Sequence, residues 1–295
     1  MPRGDVMGCN TGPHRRKFLL SPGRFLADAV RQREDELVFW GEWEAQSRIV
    51  ARWRAQPGLP TVLHAPWWAP PELDGERQNT DPWVFGDHFL YSNCKQHTNN
   101  KPDRRASALQ RLPVGSMILF GSGRGTRFVI DTVFVVGTVV GTFEPLAAVD
   151  HLPVDEAFTT CTLEPLAGYA PHVAASTYTL YAGATIDDRV DGMFSFVPCR
   201  VYRDAQARFA RPAIDLPGAV NPANGRSPRG ATAGDRRPIG EVVAAWHAVA
   251  EQVRHADLHL GIRFETPPRR APRSSTPPTF RARRTSRRGF RPLAV

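Results

Sequence analysis

Leu112–Phe143 reads LPVGSMILFGSGRGTRFVIDTVFVVGTVVGTF, and the fold turns on it. It is the longest run of β-branched and aromatic residues in the chain. Ser116–Phe120 and Arg127–Val140 are therefore expected as strands, joined by a turn over Gly121–Thr126 (GSGRGT). So apolar a run belongs on a surface buried on both faces, in a closed barrel or a covered sheet. GSGRGT lacks the spacing and the Lys of a phosphate-binding loop, and no dinucleotide fingerprint is complete. A Gly-rich hairpin turn is the expectation, with no cofactor. Asp131 sits among Val, Ile and Phe, where a carboxylate must reach a partner, solvent or a ligand. It is a candidate ligand-binding residue.

The chain has 295 residues and a formal charge of +9. Nine Arg lie between Thr266 and the end (269, 270, 273, 281, 283, 284, 287, 288, 291), without one acid; residues 1–265 then hold 29 basic and 29 acidic residues. The expectation is one globular domain over 1–265 and a disordered Arg/Pro-rich tail over 266–295, which either holds DNA, RNA or an acidic partner by charge or is a solvated extension with no dedicated partner. Cys9, Cys94, Cys161 and Cys199 show no paired spacing, and reduced thiols are the default. No signal-peptide core or membrane-length apolar run is present, which points to the cytoplasm.

Outward from the hairpin, two stretches carry chemistry. Glu36–Ile49 (ELVFWGEWEAQSRI) opens as a strand over Leu37–Trp40. If the chain stays extended, Glu42 and Glu44 share one face and Trp43 points the other way. Trp40, Trp43 and Glu44 are then candidates for stacking on and hydrogen-bonding a base or sugar. Glu42 against an indole is a candidate general acid. A strand end with core Trp and solvated Glu fits the same residues.

Arg77–Gln96 (RQNTDPWVFGDHFLYSNCKQ) packs Gln78, Asn79, Asp81, Asp87, His88, Tyr91, Asn93 and Gln96 into twenty residues. Such a mixture suits a polar planar ligand, with Gln78, Asn79, Asp81 and Tyr91 reading its edge. Cys94, activated by His88 or His97 with a Glu or Asp as orienter, is a candidate nucleophile. Cys94 and His97 reach one ion by spacing, but no second ligand pair appears, so no metal is expected. A buried Cys among loop histidines explains the same pattern.

Elsewhere, the basic cluster His14–Lys17 can hold a phosphate or a carboxylate, or be a solvated loop. Ser21–Gly23 reads as a turn, and 56–73 as an extended surface connection. Lys101–Arg111 reads as a short helix, Asp155–Leu166 and Ser176–Ala182 as strands or strand–turn units, and Met193–Tyr202 as a strand. Ile239–His255 is the clearest helix, with Val242, Trp246, Val249 and Val253 on one face.

The phrase L-x-x-G-S-M-I-L-F-G-S…F-V-I-D-T-V-F-V-V, over Leu112–Val136, resembles the PUA-like superfamily that contains ASCH and EVE domains. Ser116 stands where an acidic residue is common there, and Asp131 where a small one often is. The resemblance implies a small barrel that often binds RNA or a modified DNA base in a pocket of aromatic and polar side chains.

The expected fold is α+β: a mostly antiparallel, barrel-like sheet with a few covering helices. Three functions stay open. The first is a nucleic-acid-associated protein with a pocket for a base, modified or not, or a nucleotide. The second is a hydrolase or transferase acting on one through Cys94 and His88 or Glu42. The third is an interaction protein without a small-molecule site.

Overall fold

The computed structural model describes residues 16–28, 31–69, 79–98, 102–124, 127–147, 152–169, 171–203, 207–216 and 237–270. Gln78 and residues 271–295, most of the expected tail, lie outside them. Strands dominate and helices are few. The strands are β1 (Arg16–Leu26), β2 (Gln32–Glu42), β3 (Ser47–Arg52), β4 (Val62–Pro66), β5 (Leu90–Tyr91), β6 (Met117–Arg124), β7 (Arg127–Phe143), β8 (Tyr178–Gly183), β9 (Val197–Val201), β10 (Ala213–Ile214) and β11 (His259–Phe264). The helices are α1 (Glu156–Phe158), α2 (Glu164–Ala167), α3 (Pro171–Ala174) and α4 (Ile239–His255), with a π-helical turn at Thr159–Leu163 between α1 and α2.

One sheet runs β11-β9-β2-β1-β4-β3, and β11 also pairs with β1. Pairing thus closes a circuit through β1, β2, β9 and β11, while β4 and β3 continue outside it. The second sheet runs β10-β7-β8-β5, with β6 on β7. All pairings are antiparallel except β1 with β4, which meet at Leu19 and His64.

The β1–β2 ladder decides which residues meet. Its register pairs Arg16 with Glu42, Phe18 with Trp40 and Leu19 with Phe39. Directly opposed residues share a face. One face therefore carries Arg16, Phe18, Trp40 and Glu42, and the other Leu19 and Phe39. Each face has its own apolar cluster: Phe18 and Trp40 join Ile130, Val133, Phe196 and Trp246, whereas Leu19 and Phe39 join Trp43, Trp83, Phe134 and Phe264. Burial on both faces, expected for the β7 run, holds from Val129 to Val136.

Several local expectations are corrected. Gly121–Arg124 belong to β6, so the strand continues into GSGRGT. Ser21–Gly23 lie inside β1, where Gly23 has no Cβ to meet the Arg263 carbonyl of β11. The 56–73 connection contains β4, which is paired along β3. Only Ala108–Arg111 of the 101–111 stretch is helical, as a 3₁₀ turn. Residues 156–167 are helical, not extended, because Asp155 caps the N–H of Phe158 at 2.7 Å. Helix α4 and its buried face, Trp246, Val249 and Val253, stand as read.

Candidate functional site

Asp131 is the extra residue of a β-bulge: Phe120 pairs with Thr132 and Gly121 with Ile130, which leaves Asp131 without a partner on β6. A bulge re-aims a side chain, and here it aims a carboxylate at two guanidiniums. Arg16 Nε donates to Asp131 Oδ2 at 2.8 Å, and Arg211 Nη2 donates to the same oxygen at 2.8 Å. Arg211 Nε lies 2.6 Å from Oδ1, and its Nη1 donates to Ser122 Oγ at 2.8 Å. Arg16 Nη1 also donates to Glu42 Oε2.

The result is a four-residue ionic set of zero formal charge that ties the two sheets together. Its side chains are 11% (Arg16), 2% (Glu42), 3% (Asp131) and 9% (Arg211) exposed, so it is screened very little. Burial alone lowers the Arg16 pKa, but Glu42 and then Asp131 more than offset it, and the net direction is upward. Part of the basic cluster read as a carboxylate holder does hold carboxylates. They belong to the protein itself.

Beside this set lies a second polar group. Asp81 is fully buried and accepts the backbone N–H groups of Ser92 at 3.0 Å, Asn93 at 2.9 Å and Cys94 at 2.6 Å. Its carboxyl is raised to about 6: burial pushes it up, these three N–H donors pull it back, and Glu42 nearby adds to the rise. Asp81 is thus the anchor that shapes the 92–94 loop. Asn79 plays a similar part: its Nδ2 donates to Asn93 Oδ1 at 2.8 Å, and its Oδ1 accepts from the Tyr169 hydroxyl at 2.9 Å. Thr80 takes the Glu44 N–H on its hydroxyl at 3.1 Å, and its backbone is tied to Cys161 and Thr162 of the π-helical turn. Burial raises the Tyr169 pKa, with Glu44 and Glu42 adding to the rise, so both carboxylates lie near that phenol.

Segments 42–44, 79–81 and 92–94, with Tyr169, therefore converge. Glu42, Asn79, Thr80 and Asp81 are buried beneath; Arg16, Glu44, Asn93, Cys94 and Tyr169 are partly exposed. Cys94 lies near Arg16.

Other candidates fall elsewhere. Trp43 is fully buried, packs on Trp83 and Phe85, and donates its indole N–H to the Gln46 carbonyl at 2.7 Å. Trp40 is 8% exposed in the opposite cluster and donates to the Phe209 carbonyl at 2.9 Å. Tyr91 is buried against Tyr181, and its hydroxyl donates to the Cys94 carbonyl at 2.7 Å. Neither indole presents a face for stacking, which corrects that expectation, and the Tyr91 hydroxyl expected to read a ligand's edge is taken by the Cys94 carbonyl. Glu42 meets a guanidinium where the general-acid reading wanted an indole. Strand β2 stops at Glu42, so the expected extended alternation through Glu44 does not occur; the Thr80 hydroxyl holds the Glu44 N–H instead.

His88 is exposed and shares a groove with Arg24, Asp187 and Arg263. Arg24 and Arg16 are eight residues apart on β1, about 26 Å of extended strand. The structure therefore places His88 and Cys94 at opposite ends of β1 and does not bring them together as base and nucleophile. His97 contacts Gln110 and the Tyr178 ring, and burial, with Arg104 nearby, pushes its pKa down to about 4. Among the described residues no three His, Cys, Asp or Glu gather as a metal site, and no helix is long and apolar enough to cross a membrane.

Reading the sequence missed Arg211, Thr80 and Tyr169. Arg16 carried a signal as part of the 14–17 cluster, and Asn93 as part of the dense polar stretch. Arg211 lies in an unpatterned segment and carried none. No protein-family model, curated protein or solved structure matches the chain significantly.

Proposed function

We propose that this chain is a nucleic-acid-associated protein that takes a base, modified or not, or a nucleotide at the rim formed by Arg16, Glu44, Asn93, Cys94 and Tyr169. The observation that carries it is the convergence of segments 42–44, 79–81 and 92–94 with Tyr169, partly exposed groups above and anchored groups below. Such a rim supplies a carboxylate, an amide and a cation for a polar edge, with one phenol ring beside them. Asn79 and Asp81 act as positioning residues. A PUA-like, barrel-like body is part of the proposal. The closed circuit of β1, β2, β9 and β11 supports a barrel-like shape, although the hairpin that carries the resemblance lies in the other sheet.

A second reading, an enzyme in which Cys94 attacks a base or nucleotide, is favoured by the exposure of Cys94 beside Arg16. His88 has no part in it.

Calorimetric titration with nucleotides and with short oligonucleotides bearing ordinary or modified bases tests the first reading. Tyr169→Ala is expected to weaken the best ligand about 5- to 150-fold, the equivalent of about 1–3 kcal/mol for one stacked base. A ligand bound equally well by wild type and Tyr169→Ala would place the site elsewhere.

A further inference from the structure

The β3–β4 hairpin and its flanks, residues 45–69, contain no Asp or Glu, yet Arg48, Arg52 and Arg54 are all exposed there. Strand β3 ends the six-stranded sheet, so its outer edge carries no further strand among the described residues. Register sorts the arginines. Ile49 pairs with His64 and Arg52 with Val62, which sets Arg52 on one face with His64 and with Ile49, itself 41% exposed. The irregularity between Ile49 and Ala51 reverses the alternation, so Arg48, paired with Ala65, faces the other way. The edge is therefore cationic on both sides. The surroundings of His64 agree: burial first, then Lys17 and Arg52, push its pKa down to about 4.

Indoles flank these arginines. Trp53 follows β3 and is half-exposed, with Arg208 5.2 Å from its ring. At the other end Trp67 is half-exposed under Arg270 at 4.6 Å, and Trp68 lies under Arg269 at 5.2 Å. The C-terminal segment is fixed there by backbone bonds: Trp68 N–H donates to Pro268 O at 3.1 Å, and Arg270 N–H to Trp68 O at 2.8 Å. The expected tail thus begins as an ordered strap along the hairpin.

We propose that the β3–β4 hairpin, with Arg269 and Arg270 laid on Trp68 and Trp67, is the track for a single nucleic-acid strand. Its phosphates lie on Arg48, Arg52 and Arg54, and its bases against Trp53, Trp67 and the guanidiniums that cover them. Charge complementarity selects a polyanion, and indoles interleaved with arginines select one with flat rings to stack. An acidic peptide would use the charge but not the rings, and an anionic membrane would need the indoles free to insert, whereas guanidiniums lie on them. This rests on the proposed function only in taking nucleic acid as the ligand.

The test is fluorescence anisotropy of a labelled oligothymidylate of roughly 20 nucleotides with the full chain, at about 50 and 200 mM salt. R48E/R52E/R54E, with its thermal midpoint checked against wild type, is expected to bind at least about tenfold more weakly. Its log K against log salt slope is expected to be shallower by about 2, since three phosphates no longer meet a cation and each accounts for about 0.7. Trp67→Ala supplies a second, uncharged variant, expected to weaken binding with the slope unchanged. Binding of the triple variant within twofold of wild type at an unchanged slope would overturn the track and leave the remaining tail arginines as the contact. Competition by polyglutamate as strong as by unlabelled oligothymidylate would overturn the choice of a nucleic acid, as would anionic vesicles binding where the oligonucleotide does not. Tyr169→Ala keeps the failures apart, because it alters base preference and leaves the salt slope of the hairpin in place.

Discussion

Asp131→Ala is expected to lower the unfolding free energy by about 3–5 kcal/mol, read as a fall in the urea midpoint at an unchanged slope. The reason lies in what remains. Without that carboxylate, Arg16 keeps Glu42, and Arg211 keeps the Ser122 hydroxyl and a long contact to the Val129 carbonyl. Two guanidiniums about 10% exposed would then face one carboxylate of the set. Asp131→Asn should lose nearly as much, since the amide keeps the shape but not the charge. Replacing all four residues by apolar ones of similar volume should by contrast be close to neutral, because burying the four charges already carries a desolvation cost. A loss under about 1 kcal/mol in Asp131→Ala would mean that water reaches the set and that it does not join the sheets.

Trp43→Ala is expected to cost about 3–5 kcal/mol, the range for emptying a buried aromatic site. The ring is wholly out of solvent, 5.4 Å from Phe85 and 5.8 Å from Trp83, and its N–H is satisfied by Gln46. Trp43→Phe should recover part of the loss by refilling the site. Ligand affinity per folded molecule should stay within a fewfold of wild type. Lost binding at full stability would return Trp43 to the role of stacking residue that its sequence neighbours, two glutamates, suggest.

Those two residues show how far the sequence could be read. The β6–β7 hairpin was legible because an apolar run as long as Val129–Val136 has few other fates, and Asp131 stood out within it as needing a partner. Which partner was not legible: Arg211 is 80 residues away and surrounded by nothing periodic. Helix α4 was legible from its period. The 156–167 segment was not, because Thr159, Thr160 and Thr162 favour a strand locally while the Asp155 cap and tertiary packing favour a helix. The crowd of hydrogen-bonding groups between positions 79 and 96 was visible, but their depth depends on which strands cover them. Asp81 and Asn79 turned inward to hold the loop, and Glu44, Asn93 and Cys94 were left partly exposed. His88 lies only six positions from Cys94 in sequence, yet it lines the groove beside Arg24, while the Cys94 N–H is held by Asp81.

For the proposed ligand rim of Arg16, Glu44, Asn93, Cys94 and Tyr169, Cys94 is a built-in reporter. Cys161 and Cys199 are buried, and Cys94 is the one cysteine among the described residues that reaches solvent. Alkylation of Cys94 followed by peptide mass spectrometry, with and without a base-bearing oligonucleotide, measures occupancy of that rim directly. Labelling of Cys94 is expected to slow several-fold at saturating ligand, and Tyr169→Ala to remove the protection. Labelling at the same rate while the oligonucleotide is demonstrably bound would contradict it.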